Sequence, residues 1–282
     1  MTSTPSQNIS GRIFIWISFT VLALLYIPVL IGLIEVWWAD DNYSHGFLIP
    51  IISGYLLWKK RKALAEVPES TGNNLGLLIL ISGMVVFVLA TAAAEYFTLR
   101  ASLVITLFGL VWYLFGYQMI RKTWFELLFL FFMVPLPYVI YYSLTFPMQL
   151  YATTITTKIL SFVGMSAIQQ GNVIHLPGYS LEVAEACSGL RSLISLLALG
   201  ALYARFTQIT FGRQILLFLS TVPIAIAANI FRLLFTAVGA YTVSHELAED
   251  FLHELSGMMV FVVAFIMLFI WGAVIKPRKA TA

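Results

Sequence analysis

The chain has 282 residues, of which 60% are hydrophobic and only 10% charged, with a formal net charge of +3 and a mean hydropathy of +0.92. A soluble domain of this length cannot hide so much apolar surface, so composition excludes that class and leaves an all-α polytopic membrane protein. The cations stand at the ends of apolar runs and not in a patch, which points to a lipid bilayer and away from nucleic acid. A single cysteine excludes an intrachain disulfide.

The first eleven residues are polar, and we expect a disordered cytoplasmic tail. From Arg12 a single integral-membrane domain, 12–282, is expected, without internal repeats. The apolar run that Arg12 opens is too long for a signal-peptide core and has no small-residue cleavage site. About eight segments have the length and polarity of transmembrane helices. They run from Ile13 to Ile34, Gly46 to Trp58, Leu75 to Ala94, Ala101 to Gln118, Trp124 to Tyr141, Ala186 to Ala204, Gln214 to Tyr241 and Leu255 to Ile275. The second is the shortest. Threaded in this order, Arg12, Lys59 to Lys62, Arg121, Lys122, Arg205, Arg213, Lys276, Arg278 and Lys279 fall on one side, which the positive-inside rule makes the cytoplasm. Glu35, Asp40, Asp41, Glu95, Glu182, Glu185, Glu246, Glu249, Asp250 and Glu254 fall on the other.

Between the fifth and sixth spans lies a long extracytoplasmic segment, 142–185. Met148, Tyr151, Ile155, Ile159 and Phe162 recur at spacings of three and four, with Thr153, Thr154, Thr157 and Ser161 at other positions, which predicts an amphipathic helix lying on the outer surface. Asn172 to Leu176 and Tyr179 to Val183 bracket Pro177-Gly178 and predict a β-hairpin. Pro135 and Pro137 are expected to kink the end of the fifth span.

The hairpin delivers the chain into Glu182-Val-Ala-Glu-Ala-Cys-Ser-Gly-Leu-Arg-Ser192. If the sixth helix starts near Ala186, Cys187 lies in its first turn, where unpaired N–H groups and the helix dipole favour a thiolate. Arg191 follows one turn later on the same face. A free cysteine is otherwise a small buried hydrophobe, and both readings stand on these residues alone. Arg232 lies well inside the seventh span with Asn229 one turn before it. A charge at that depth is costly and reads as a catalytic or substrate-binding group, or as a structural ion pair with Glu185.

His253 opens the eighth span one turn before Gly257. His245, Glu249 and His253 share a helical face, so a metal is conceivable, but the pattern is not His-Glu-x-x-His and we expect no metal and no cofactor. His175 reads as a solvated strand residue. His45, at the mouth of the second span, reads as a secondary site residue or a neighbour of a helix cap. Cys187, Arg232 and His253 converge on the outer half of three spans under this threading.

Glu185-Ala-Cys-Ser-Gly-Leu-Arg-Ser192, Asn229-Ile-Phe-Arg232 and His253 with Gly257 resemble the exosortase family. So do Asn42-Tyr-Ser-His-Gly-Phe-Leu-Ile-Pro50 and Met133-Val-Pro-Leu-Pro137. The resemblance implies a bacterial inner-membrane cysteine transpeptidase acting on exported, membrane-anchored proteins with a C-terminal PEP-CTERM sorting signal, and an acceptor nucleophile it does not identify. It places the nucleophile on Cys187, the catalytic arginine on Arg232 and the histidine on His253. Chemistry supplies matching roles: thioester formation, oxyanion stabilisation and proton transfer. Arg191 reads as part catalytic and part scaffold, the latter through Glu185. Two other classes remain in view, a small-solute transporter with Arg232 and His253 in its pathway and an envelope-assembly protein without catalysis.

Overall fold

The computed structural model describes residues 5–68, 73–183, 190–242 and 251–276, with side chains for 11–68, 73–183, 193–241 and 259–276. Among the described residues, four helices are long and apolar enough to cross a membrane: Gly11–Ala39, Asn74–Ala92, Tyr96–Met133 and Phe211–Tyr241. Their large apolar side chains, among them Trp16, Val21, Leu78, Val88, Leu219 and Val238, point outward. An apolar exterior over satisfied helical backbone is what a bilayer requires, so the expected all-α polytopic membrane fold is the one observed. The chain divides into two compact units, Met1–Pro137 and Tyr138–Ala282, each described by itself.

The first unit runs through α1 (Pro5–Ala39), a 3-10 segment (Asp41–Phe47), α2 (Leu48–Lys59), α3 (Arg61–Ala65), α4 (Asn74–Ala92) and α5 (Tyr96–Phe129), closed by a second 3-10 segment (Leu130–Met133). Two helices are opened by side-chain caps. Asn73 Oδ1 accepts from the N–H groups of Leu75 and Gly76, and the Glu95 carboxylate accepts from those of Phe97 and Thr98. Along α4 and α5, Gly76, Gly83 and Gly109 let the two backbones meet; a Cβ on Gly109 would lie 2.3 Å from the Leu80 nitrogen.

Two sequence expectations change here. The second predicted span is only α2, about 18 Å of helix against a hydrocarbon core of about 30 Å. The expected break between the fourth and fifth spans falls at Gly116 and not after Gln118. Gly116 takes φ 77° and ψ −179° inside α5, a conformation open to glycine at little cost. Arg100 Nη2 donates to the Gly32 carbonyl at 3.2 Å, and Trp37 Nε1 donates to the Met133 carbonyl at 2.9 Å. These anchors are about 8 Å apart along α1 but would be about 50 Å apart along a straight helix from Arg100 to Met133. The chain therefore folds back at Gly116. At the opposite end Lys60 Nζ is paired with Glu126 and donates to the Lys122 carbonyl, while Lys122 Nζ donates to the Ala63 carbonyl. The basic runs at Lys60 and Lys122 thus share one end of this unit, as the charge pattern predicts.

The second unit contains α6 (Tyr138–Phe162), strands β1 (Ile168–Gln170), β2 (Val173–Leu176) and β3 (Tyr179–Glu182), then α7 (Leu190–Thr207), α8 (Phe211–Thr242) and α9 (Phe251–Ile275). The predicted hairpin is present: Leu176 pairs with Tyr179 around Pro177 and Gly178, the latter at φ 75°, as a turn with proline first and glycine second favours. Strand β1 was not expected. It pairs with β2 through the two-residue turn Gly171-Asn172, with Gly171 at φ 61°. Ile174, Leu176, Leu181 and Val183 pack with Ala152 and Leu160 of α6 and Leu233 and Ala237 of α8.

Helix α6 has the two faces that its spacing predicts. Tyr151, Ile159 and Phe162, of the predicted apolar face, are exposed. The buried stripe is Tyr141, Thr145, Gln149, Ala152, Thr153, Thr156 and Leu160. A helix that hides threonines and shows aromatics is arranged for an apolar surrounding and not for a water-covered surface.

Candidate active site

Helices α7, α8 and α9 form one packed group, with Leu193, Leu196, Ala204, Leu217, Ile224, Ala225, Ala228, Val260, Ala264 and Leu268 in a shared core. Their relative direction follows from contacts at one end. The Tyr203 and Phe269 rings meet edge-on at 4.7 Å, Gln208 Nε2 donates to the Gly272 carbonyl at 3.0 Å, and Trp271 Nε1 donates to Ser220 Oγ at 2.8 Å. Gly200 is pressed against Thr221, whose Cγ2 would lie 2.1 Å from an added Cβ. The C-terminal parts of α7 and α9 therefore meet the N-terminal part of α8, and α8 runs against the other two.

Levels along the bundle follow from the helical rise. From the Gly200–Thr221 contact, Leu190 lies about 15 Å away along α7 and Arg232 about 17 Å away along α8, in the same direction. From the Tyr203–Phe269 contact, Leu190 lies about 20 Å away and the backbone of His253 about 24 Å away along α9. The start of α7, Arg232 and His253 thus stand within about 5 Å of one level, at the end opposite Arg205, Arg213 and Lys276.

Arg232 and Asn229 are both 6% exposed and face the interior, with Thr236 one turn further on at 5%. Their stripe continues through Ala225, Ala228, Leu233, Ala237 and Ala240, the spacing of one helix face. Among the described residues, Asn229 Oδ1 is buried with no hydrogen-bond partner, as is Thr156 Oγ1 on the buried face of α6. Buried acceptors without donors are rare and call for an explanation.

The sequence-predicted residues divide by what the structure describes. Asn229 and Arg232 are described in full and share a buried face. Arg191 and His253 are described as backbone, near the starts of α7 and α9, and Cys187 and Glu185 lie outside the described residues. Chain connectivity leaves Cys187 three residues before the first described residue of α7. His245 and Glu249 of the conceivable metal face also lie outside. His45 belongs to the first unit, where its Nε2 is 3.2 Å from the Phe132 carbonyl. His175 bridges strands, with Nδ1 2.8 Å from Ser180 Oγ and Nε2 3.2 Å from Gln170 Oε1. Sequence reasoning missed Thr236, and on α6 it placed Thr153 on the polar face but missed Thr145, Gln149 and Thr156, which the structure buries beside it.

The model of the transmembrane exosortase family matches residues 37–270. The chain belongs to that family. It is therefore a membrane-embedded protein of the transpeptidase and protein-sorting class, acting on protein substrates that carry sorting signals. The exosortase match includes every residue named above as a candidate and runs through both units. No curated protein and no solved structure matches the chain.

Proposed function

We propose that this exosortase is a cysteine transpeptidase that cleaves C-terminal PEP-CTERM-type sorting signals of exported, membrane-anchored proteins through a thioester on Cys187. The carrying observation is the buried Arg232–Asn229 pair at the end of the three-helix group where α7 and α9 begin. Cys187 precedes α7 in the chain and His253 sits in the first turn of α9, which supports a thiol and an imidazole acting with that pair.

The roles follow from the chemistry. The Cys187 thiolate adds to the scissile carbonyl, and the oxygen gathers negative charge. Arg232, always charged and with a planar fork of donors, stabilises that oxygen in a site of low dielectric. His253 gives a proton to the departing amine as the C–N bond breaks, leaving an acyl thioester. The acceptor nucleophile, deprotonated by the same imidazole, then displaces the sulfur. Asn229 presents an acceptor for an N–H of the extended substrate beside the reacting carbonyl, which accounts for its unpaired oxygen. Arg191, four residues after Cys187 in the sequence, is assigned a mixed role, favouring the thiolate and pairing with Glu185 as scaffold.

The functional domain is 12–282 as a whole, since the family match runs through both units. Both termini are cytoplasmic, and the site faces the periplasm of a bacterial inner membrane. This orientation is supported by the segregation of basic residues within each unit, with Lys60 and Lys122 together in the first and Arg205, Arg213 and Lys276 together in the second. Mass spectrometry of the intact protein from cells containing substrate tests the chemistry. An acyl adduct on Cys187, absent from Cys187→Ala, is expected; normal processing by Cys187→Ala sinks the proposal.

A further inference from the structure

Two segments singled out in the sequence, Asn42 to Pro50 and Met133 to Pro137, have no part in the chemistry above, yet they are bound to each other in the first unit. His45 Nε2 lies 3.2 Å from the Phe132 carbonyl, Trp37 Nε1 donates to the Met133 carbonyl at 2.9 Å, and Tyr43 OH donates to the Leu136 carbonyl at 3.2 Å. A carbonyl can only accept, so Nε2 of His45 carries a proton there.

The captured stretch cannot satisfy itself. Pro135 and Pro137 have no N–H, and Val134 before a proline is extended at φ −86° and ψ 118°. The 3-10 segment Leu130–Met133 ends here, and its last carbonyls are left for side-chain donors. The donors are held from behind. Gly46 is buried because Trp37 occupies the space of its missing side chain; a Cβ there would lie 2.3 Å from Trp37 Nε1. Phe47 packs edge-on against the Trp37 ring at 5.2 Å.

We infer that Trp37, Tyr43 and His45 are positioning residues, a three-donor clamp on the carbonyls of 132–136 that fixes the peptide from which α6 starts. Its consequence for catalysis rests on the function proposed above. Helix α6 begins at Tyr138, and its polar stripe, with Thr156 Oγ1 unpaired among the described residues, belongs to the second unit that also holds Arg232. Three hydrogen bonds restrict the peptide from which the chain enters that helix, and small misplacements near reacting groups are expensive in rate. His45 is then no substitute for His253 as proton carrier. Its Nε2–H is committed to Phe132, and Nδ1 is buried.

Hydrogen exchange over residues 130–138 and substrate processing, measured on the full-length protein in lipid nanodiscs, test the clamp together. His45→Ala, Trp37→Phe and Gly46→Ala should speed exchange at Val134, Leu136 and Tyr138 and lower kcat about tenfold or more with little change in KM. Tyr43→Phe removes one hydroxyl and should do the same more weakly, covering the case in which the larger changes prevent folding. His45→Gln keeps a donor near the Nε2 position and should recover most of both properties, with an unaltered pH–rate profile. Exchange that stays slow in His45→Ala and Trp37→Phe overturns the clamp, and faster exchange with normal processing overturns its role in positioning. A His45→Gln variant as inactive as His45→Ala makes His45 a proton carrier. Should the parent protein form no acyl adduct on Cys187, the proposed chemistry fails, while the exchange data still decide the clamp.

Discussion

Asn229→Leu separates a structural asparagine from a substrate-binding one. Asn229 Oδ1 is buried on α8 without a donor among the described residues, and a buried unsatisfied acceptor costs about 1–3 kcal/mol of stability. Leucine has nearly the same shape and no polar atom, so the substitution removes that cost and adds apolar contact with neighbours such as Ala228 and Leu233. The expected gain is about 1–2 kcal/mol, or a few degrees in the melting temperature of a chain this size. If the oxygen is kept for a substrate N–H, the same variant loses that bond, and processing falls about five- to thirtyfold. Thermal unfolding in nanodiscs and processing in cells should therefore move in opposite directions, as residues held unsatisfied for function do when made comfortable. A destabilised variant means the oxygen is satisfied in the native state. A variant that is stabilised and fully active means the substrate does not use it. Either result refutes the reasoning.

Arg232→Lys should keep the fold and lose about 100-fold or more in kcat, since a point charge cannot reproduce the planar fork; unchanged processing would make Arg232 a structural ion pair. A membrane-impermeant maleimide on intact spheroplasts should label Cys187, and labelling only after permeabilisation reverses the orientation. The clamp carries a pH dependence: burial pushes the His45 pKa below its ordinary value of 6.5, against weaker opposing effects of the Phe132 and Asn42 backbone. The unfolded chain therefore takes up a proton that the native state refuses. Stability should be full above the ordinary histidine range and decline as pH falls below it, by at most about 1.4 kcal/mol per pH unit for one proton. Melting temperatures at pH 7.5 and 5.5 should show a slope that His45→Gln reduces; an equal slope in both proteins assigns it elsewhere.

The legible parts of the fold are those governed by local rules. Pro177-Gly178 between two alternating runs marks the β2–β3 hairpin, because a fixed φ followed by a free one bends the chain wherever it occurs. Long apolar runs mark α1, α4 and α8. Gly171-Asn172 carries an equally local turn signal, but the three residues of β1 before it are too few to show an alternation of their own. The fold-back at Gly116 is masked by the cations at Arg121 and Lys122, where hydropathy drops; the backbone instead turns where glycine allows φ 77°. For α6 the periodicity separates the two faces, and in an apolar surrounding Tyr151 and Phe162 can face out while Thr153 and Thr156 find the interior. The contacts joining His45 to Phe132 span 87 residues, and no local pattern announces them.

The depth of Arg232 bears on why the chain retains it. About 28 Å of helix separates Arg232 from Arg213 and about 15 Å separates it from the end of α8 at Thr242, while an arginine reaches only about 7 Å. It cannot snorkel to either end, and it is 6% exposed. A guanidinium at that depth persists only where its charge is stabilised, since desolvation otherwise outweighs anything packing returns. Its neighbours on the α8 stripe, Asn229 and Thr236, are polar but uncharged. Low dielectric makes the field of such a charge stronger than in water. A transient oxyanion at the level of Leu190 and His253 would draw on it at the moment of bond making, which is the condition for an interaction that speeds a reaction and does not merely hold a substrate.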